Sequence, residues 1–275
     1  MNPFNQERID YAKYHKTAEK QLLPLFRKAL YETIKPIIDV ANTIGLSTVN
    51  PEMINLNVWQ KTYQNAYNLI GMKIAKREFY TQRRLDGGLE EKSSAIDFLV
   101  DVWDSILRNA ANNYVLSIHN DLNDTTMKII RESLTDAYEL GLDEDGTVRL
   151  FLKIMTDKQK ERAKNFSRTE ATTLSNLGKE IGAKSWIDQN GGKGYKMWLG
   201  RNDARERPSH LAENNTILEI DDLYDLDGEL AQRPGDVNLS PNNRINCRCT
   251  QSIMSQNRYN AYVKRGLIKD GKVIG

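Results

Sequence analysis

The residues best suited to chemistry lie in two short segments of the last third of the chain. Residues 203–210 end in His210, and residues 241–249 contain both cysteines of the sequence, Cys247 and Cys249. Thiolates and an imidazole are common zinc ligands, and a cysteine beside a histidine is also the arrangement of a thiol nucleophile. We therefore expect the two segments to meet and to form one site.

A metal centre is the first interpretation of this set. Cys247, Cys249 and His210 would supply three ligands, and Asp203, Asp236 or a water molecule would supply the fourth. The spacing differs from that of a usual zinc knuckle, because one residue separates the cysteines instead of two. A zinc deaminase is excluded, since its signature requires His-x-Glu and Cys-x-x-Cys.

A cysteine nucleophile is the second interpretation, with His210 as the base and Asp203 as the group that orients it. No glycine-rich oxyanion loop precedes either cysteine. Since such a loop would stabilise the charge that develops during acyl transfer, its absence from the sequence counts against this chemistry.

The third interpretation is structural. Asp203, Arg207, His210 and Arg248 would form a buried polar network that pins the two segments together, with both cysteines as small core residues. The sequence favours this interpretation. We therefore expect no catalytic residue and no bound cofactor, with zinc on His210, Cys247 and Cys249 as the alternative.

A longer pattern surrounds these residues. It begins with a helical lead-in at 168–171 and 176–178, followed by Trp198 and the Asp-x-x-x-Arg-x-x-His spacing of residues 203–210. It ends with the turn 234–236 and the sequence Asn246-Cys247-Arg248-Cys249. The pattern resembles the Mu F-like head morphogenesis family, the minor head proteins of tailed bacteriophages, over about residues 165–255. The family usually has an Asp-Gly turn after the histidine. Glu213-Asn214-Asn215 stands there instead, and asparagine can still adopt the positive φ of such a turn.

The resemblance implies a protein that enters the procapsid in few copies and is associated with the portal vertex, in some relatives with a role in DNA packaging or delivery. Its partners would be the portal protein or the major capsid protein, sister copies and packaged DNA. It would lie in the capsid interior near the portal, after assembly in the host cytoplasm. The competing class is an enzyme, either a metal-dependent hydrolase or a phage-carried effector that uses His210, Cys247 and Cys249.

Composition is compatible with this class. The chain has 275 residues, of which 39% are hydrophobic and 28% charged, with a net charge of +2. It is therefore expected to fold, and it has no overall electrostatic attraction to nucleic acid. No apolar run is long enough to span a membrane, and the polar N-terminus does not predict a signal peptide. Two cysteines one residue apart are expected to stay reduced.

The hydrophobic pattern predicts helices over most of the first 160 residues. One helix covers 6–44 and should kink or split at Pro24 and Pro36; further helices are predicted over a segment that opens at Asn50 and breaks at 86–88, and over 93–119, 122–140, 148–155 and 168–184. Strands are predicted at 195–199 and 217–220. His15 and His119 are expected on the surface, as is the basic run from Lys73 to Arg84.

These elements predict an α+β fold that is predominantly α. Long kinked helices in residues 1–160 would form an assembly or portal-binding region. A compact α+β domain with short strands would follow at 161–255, and residues 256–275 would form a tail or hairpin.

Overall fold

The computed structural model describes residues 2–88, 94–269 and 271–274. Most of them are helical, and the strands are short, which confirms the predicted fold class. Helix α1 is Pro3–Thr43, α2 is Val58–Ala66 and α3 is Lys73–Leu85, with a wider π-helical turn at Tyr67–Met72 between the last two. Short 3₁₀ turns lie at Leu46–Thr48 and Pro51–Met53.

Two helices of 46 residues each follow, α4 (Ser94–Glu139) and α5 (Glu144–Gln189). The remaining elements are short: β1 (Gly194–Leu199), α6 (Pro208–Ala212), β2 (Ile217–Glu219), β3 (Tyr224–Leu226), β4 (Glu229–Ala231), α7 (Pro241–Arg244), β5 (Thr250–Ser255), α8 (Gln256–Lys264), β6 (Ile268–Lys269) and β7 (Lys272–Val273). The predicted strands at 195–199 and 217–220 are confirmed as β1 and β2. The predicted C-terminal hairpin is β6 paired with β7.

Several predicted helix boundaries are wrong. Pro24 and Pro36 do not split the predicted helix and lie inside the single helix α1, because the buried side chains on both sides of each proline hold it as one element. The two helices predicted over 93–119 and 122–140 are one helix, α4; its predicted first residue, Ser93, and the side chain of Ile96 lie outside the described residues. The charged stretch 157–164 is also helical and joins two predicted helices into α5. Lysine, arginine and glutamate, which dominate this stretch, are good helix formers, so such a surface stretch does not end a helix.

The chain forms two compact units. Unit 1 comprises Met1–Lys20, Ala66–Arg108 and Arg168–Gly275, and unit 2 comprises Gln21–Asn65 and Asn109–Ser167. These limits do not follow the predicted boundary at residue 160, because part of the N-terminal helical region lies in the same unit as the C-terminal elements.

Unit 2 is helical and has an aromatic core. Phe26 and Phe166 stack with ring centroids 5.6 Å apart, and Trp59 lies 5.1 Å from Phe166. The indole nitrogen of Trp59 donates a hydrogen bond to the Thr33 hydroxyl, 3.0 Å away. The buried indole therefore has its polar atom satisfied, as buried tryptophan requires.

Unit 1 contains an antiparallel sheet in the order β2-β1-β5. Successive side chains of β1 point to opposite faces. Trp198 packs on one face in a cluster with Tyr224, Cys247 and Cys249, whereas Met197 and Leu199 belong to a second cluster. The central strand thus separates two small cores, and one of them contains both cysteines.

Helix α5 also makes a close helix contact inside unit 1. A Cβ atom added at Gly182 would lie 2.1 Å from the Ala75 carbonyl oxygen, and one added at Gly178 would lie 2.5 Å from the Gly71 carbonyl oxygen. Both neighbours are backbone atoms, which cannot turn away as a side chain can. Only glycine allows this approach of the two helices.

We expect Gly182→Ala to destabilise unit 1 by about 1–3 kcal/mol, the cost typical of overpacking. The better helix propensity of alanine, about 1 kcal/mol, only partly offsets this clash. Chemical denaturation of the full-length chain measures the effect. Gly146→Ala in the first turn of the same helix is the control, since its nearest new neighbour is the Asp143 side chain. Equal stability of the two variants would contradict the backbone contact.

Candidate functional site

The two predicted segments meet in unit 1. His210 lies in α6, and Cys247 and Cys249 lie in the connection between α7 and β5. All three side chains are buried. The Nδ1 atom of His210 is 3.6 Å from the Cys247 sulfur and 3.5 Å from the Cys249 sulfur. Nδ1 and the two sulfurs lie within 4.8 Å of one another. The predicted convergence of these three residues is therefore correct.

Short contacts hold helix α6 in place. Pro208 occupies its first turn, where a missing backbone N–H costs nothing. Arg207 donates to the Ile245 carbonyl oxygen at 2.5 Å, and the Ser209 hydroxyl donates to Asn243 Oδ1 at 3.1 Å. The His210 ring lies edge to face on Trp198, with centroids 5.4 Å apart. Contacts to the α7 loop and to β1 therefore fix the imidazole.

Polar residues of α5 hold the Asn-Cys-Arg-Cys loop. The Thr169 hydroxyl accepts from the Asn246 backbone N–H at 3.0 Å, and the Thr172 hydroxyl donates to the Cys247 carbonyl oxygen. The Asn176 amide donates to the Cys249 carbonyl oxygen at 3.2 Å. Asn246 has a φ of 57°, a conformation that asparagine tolerates better than most residues. The lead-in helix thus positions the two cysteines through their backbone.

One pattern in the sequence could have predicted this contact between α5 and the loop. Buried polar residues recur on α5 at helical spacing, namely Thr169, Thr172, Thr173 and Asn176. Buried polar groups need hydrogen-bond partners. A polar stripe on a buried helix therefore indicates a loop backbone lying against it.

A buried ion pair lies beside this loop. Arg244, the last residue of α7, donates to a Glu170 carboxylate oxygen at 2.6 Å, and the two side chains are 10% and 1% exposed. This pair is not predicted from the sequence, because Glu170 and Arg244 are far apart along the chain and neither stands in a motif that predicts ion pairing.

The expected network of Asp203, Arg207, His210 and Arg248 forms only in part: Arg207 and Arg248 link the two segments, but the network is not buried and does not include His210. Arg248 forms two hydrogen bonds to the Asp203 carboxylate, at 2.6 and 2.8 Å, and the Asp203 side chain is 36% exposed. Hydrogen bonding from Arg248 lowers the pKa of Asp203 to about 2. Asp203 therefore pairs with Arg248. The nucleophile interpretation requires Asp203 to orient His210, and the structure does not show this contact.

Glu206 is a site residue that is not predicted from the sequence. Its Oε1 atom lies 3.7 Å from the Cys249 sulfur, and its Oε2 atom accepts from the Asn202 backbone N–H at 2.6 Å. Glu206 precedes α6, which begins at Pro208, so it does not share a helix face with His210. Its spacing from His210 in the sequence therefore gives no signal that would have identified it.

The two thiols differ in acidity. A hydrogen bond from Cys249 and the neighbouring His210 lower the pKa of Cys247 well below its usual value, against the effect of burial. The hydrogen bond to Cys247 and burial raise the pKa of Cys249. Cys247 is therefore the thiol that ionises first.

The turn after α6 forms as predicted, with Asn215 at a φ of 69°. Its asparagines bind Arg8 of helix α1, whose guanidinium donates to Asn214 Oδ1 at 3.0 Å and to Asn215 Oδ1 at 2.6 Å. Arg8 also donates to the Gly200 carbonyl oxygen at 3.2 Å. The first turns of the chain are thus part of the structure that surrounds the site.

The prediction that His15 lies on the surface is wrong, whereas His119 is exposed. The Nε2 atom of His15 lies 3.0 Å from the Thr172 hydroxyl. Because that hydroxyl donates its hydrogen to the Cys247 carbonyl oxygen, Nε2 of His15 must carry a proton and donate to the hydroxyl.

The basic run from Lys73 to Arg84 is solvated as predicted, since Lys73, Lys76, Arg77 and Arg84 are exposed and Arg83 is half-buried.

Burial lowers the pKa of His15, so the folded state favours the neutral ring. The unfolded chain binds this proton first as the pH falls, and stability should therefore decrease below about pH 6.5, the usual histidine pKa. His15→Gln removes the titrating group but keeps a side-chain N–H donor. Denaturation of both proteins at pH 7.5 and pH 5 should show a smaller loss on acidification for the variant. Equal losses would contradict this assignment.

A small antiparallel sheet, a long helix with a polar buried stripe and a His-Cys-Cys junction define an α+β module. Residues 128–252, somewhat less than half of the chain, match the family described as "Phage Mu protein F like protein". This match confirms the resemblance to the Mu F-like family and supports a protein of phage head morphogenesis. It begins inside α4, earlier than the range of about 165–255 over which the sequence pattern resembles the family.

A curated relative was also found. The chain is 26% identical over 188 residues to YqbB of Bacillus subtilis (strain 168), a protein described as uncharacterized. The match covers 62% of this chain and 58% of YqbB, so it spans little more than half of the relative's length. No solved structure matches the chain significantly. Among the described residues, no helix is both long and apolar enough to cross a membrane.

Proposed function

We propose that this chain is a minor head protein of a tailed bacteriophage, incorporated in few copies during procapsid assembly and associated with the portal vertex, where it aids DNA packaging or delivery. The family match over residues 128–252 carries this proposal. The motif residues support it, because Asp203, Arg207 and Arg248 are engaged in internal contacts that hold loops together. Such use is typical of a structural module.

Exposed apolar side chains on α4 provide further support. Phe98 is 71% exposed, and Ile106, two turns further along the helix, is also exposed. Water-exposed aromatic and aliphatic side chains suit a surface that becomes covered when proteins assemble. The portal protein is the partner that we assign to this face.

The test compares phage particles made with and without the gene for this chain. Mass spectrometry of purified particles should detect the chain at a few copies per particle, in a constant ratio to the portal protein. Chemical cross-linking of these particles should link it to the portal. Absence of the chain from particles that are filled and infectious would overturn the proposal.

A double variant, Phe98→Asp with Ile106→Asp, tests the α4 face. Because both side chains are exposed, stability should change by less than about 0.5 kcal/mol per site, while the copy number per particle should fall severalfold. Leu230→Asp is the matched control, since Leu230 is an exposed leucine elsewhere in the same unit. Normal incorporation of the double variant would show that this face does not contact the portal.

A further inference from the structure

The geometry around His210 is not that of an ordinary hydrogen bond. A neutral imidazole has one nitrogen lone pair that accepts one proton in line. Two sulfurs, those of Cys247 and Cys249, lie at nearly equal distances from Nδ1, 3.6 and 3.5 Å. Nδ1 can accept only one thiol hydrogen, so a hydrogen bond to Nδ1 accounts for one of these distances and not for the other.

A tetrahedral zinc ion accounts for both distances. Zinc lies about 2.3 Å from sulfur and about 2.0–2.1 Å from a histidine nitrogen, so the sulfur and the nitrogen are about 3.5–3.6 Å apart across a tetrahedral edge. The two measured distances agree with this edge. The one-residue separation of the cysteines is no obstacle, because both side chains are buried and both sulfurs lie beside Nδ1 of His210.

Glu206 contacts this three-residue set through Cys249. Its Oε1 atom lies 3.7 Å from the Cys249 sulfur, close to the distance of about 3.5 Å expected between sulfur and oxygen ligands of one zinc ion. The hydrogen bond from the Asn202 backbone to Oε2 keeps Oε1 directed toward the sulfur, as partners outside the coordination sphere orient ligands in metal sites.

The other two candidate carboxylates are engaged elsewhere. Arg248 binds both oxygens of Asp203. The Asp236 carboxylate accepts from the backbone N–H groups of Gln232 and Asn238. Glu206, which contacts Cys249, is therefore the carboxylate that we assign as the fourth ligand in place of Asp203 or Asp236.

We propose that Glu206, His210, Cys247 and Cys249 bind one structural zinc ion. Four protein ligands close the coordination sphere, as in structural sites, whereas a catalytic zinc keeps an open position for water. The ion would cross-link α6 to the segment that leads into β5. Its positive charge would also compensate two buried thiolates, which a low-dielectric interior otherwise disfavours. This inference is independent of the proposed role in phage assembly.

The first test measures metal in the full-length chain, purified from zinc-supplemented cells under reducing conditions without chelator. Elemental analysis should find about one zinc per chain, and replacement by Co²⁺ should give the visible absorption of tetrahedral thiolate coordination. Both thiols should resist alkylation until a chelator is added. A chain that has free thiols and binds neither Zn²⁺ nor Co²⁺ would overturn the proposal.

The second test assigns the ligands. Cys247→Ser and Cys249→Ser should each abolish the cobalt absorption. Glu206→Gln should weaken zinc binding more than about 100-fold, beyond the loss typical of a partner outside the coordination sphere, whereas Glu219→Gln, at an exposed carboxylate of β2, should bind normally. If a variant does not fold, the wild-type metal content and cobalt spectrum still decide. Full affinity in Glu206→Gln would exclude the closed four-ligand site.

Discussion

Replacing Arg244 with alanine should lower the free energy of unfolding by about 3–5 kcal/mol, the cost typical of removing one partner of a buried ion pair. Glu170 is 1% exposed and accepts a hydrogen bond of 2.6 Å from Arg244. Removal of the guanidinium breaks the ion pair of a carboxylate that water does not reach. Chemical denaturation of the full-length chain measures the loss, and hydrogen exchange should place it in α5 and α7.

Arg168→Ala is the matched control. Arg168 lies on the same helix as Glu170 and pairs with Glu19 at 2.9 Å, but the two side chains are 41% and 27% exposed. Solvent screens such a pair, so its loss should cost less than about 1 kcal/mol. Arg244→Met combined with Glu170→Leu should be milder than Arg244→Ala, because no charge is then left buried. Similar losses for Arg244→Ala and Arg168→Ala would refute the role of burial.

Much of the local structure of the site could be predicted from the sequence. Trp198 alternates with its neighbours as a strand residue does, and His210 and the two cysteines were correctly expected to converge. The positive φ of Asn215 followed from the chemistry of asparagine. Each of these features depends on residue type and on spacing within one segment, which sequence reasoning can evaluate.

Contacts between distant segments were not predictable in the same way. Arg8 reaches Asn214 and Asn215 across about two hundred residues, and Glu170 meets Arg244 across more than seventy. Neither contact leaves a periodic pattern in the sequence. Asp203 was assigned to His210 because it lies in the same motif, yet Arg248 offers a carboxylate two donors in matching geometry and binds it more strongly.

The limits of the compact units were missed for a related reason. The predicted boundary near residue 160 lies inside α5, well before the first strand, β1, begins at Gly194. Packing is decided by the faces of the long helices. Helix α5 passes through this point without interruption, and its glycines approach residues 71 and 75 in unit 1. A truncated chain that begins after residue 160 would therefore lack much of the surface against which unit 1 packs.

We expect Trp198→Ala to destabilise unit 1 by about 3–5 kcal/mol, the range for removal of a large buried aromatic side chain. Trp198 is fully buried in the central strand. Its ring contacts His210 and lies 5.1 Å from Tyr224, edge to face in both cases. The cavity would open inside the cluster that contains both cysteines, so His210 would lose the surface that fixes its ring.

The graded variant Trp198→Phe separates this packing effect from a general weakness of the strand. Phenylalanine keeps an aromatic ring at the contact and leaves a smaller cavity, so its cost should be clearly lower than that of alanine. Denaturation gives the two free energies, and hydrogen exchange of the β1 and β5 amides should show the larger loss of protection in Trp198→Ala. If the two substitutions were equally harmful, the ring contacts with His210 and Tyr224 would not be what the indole contributes to stability.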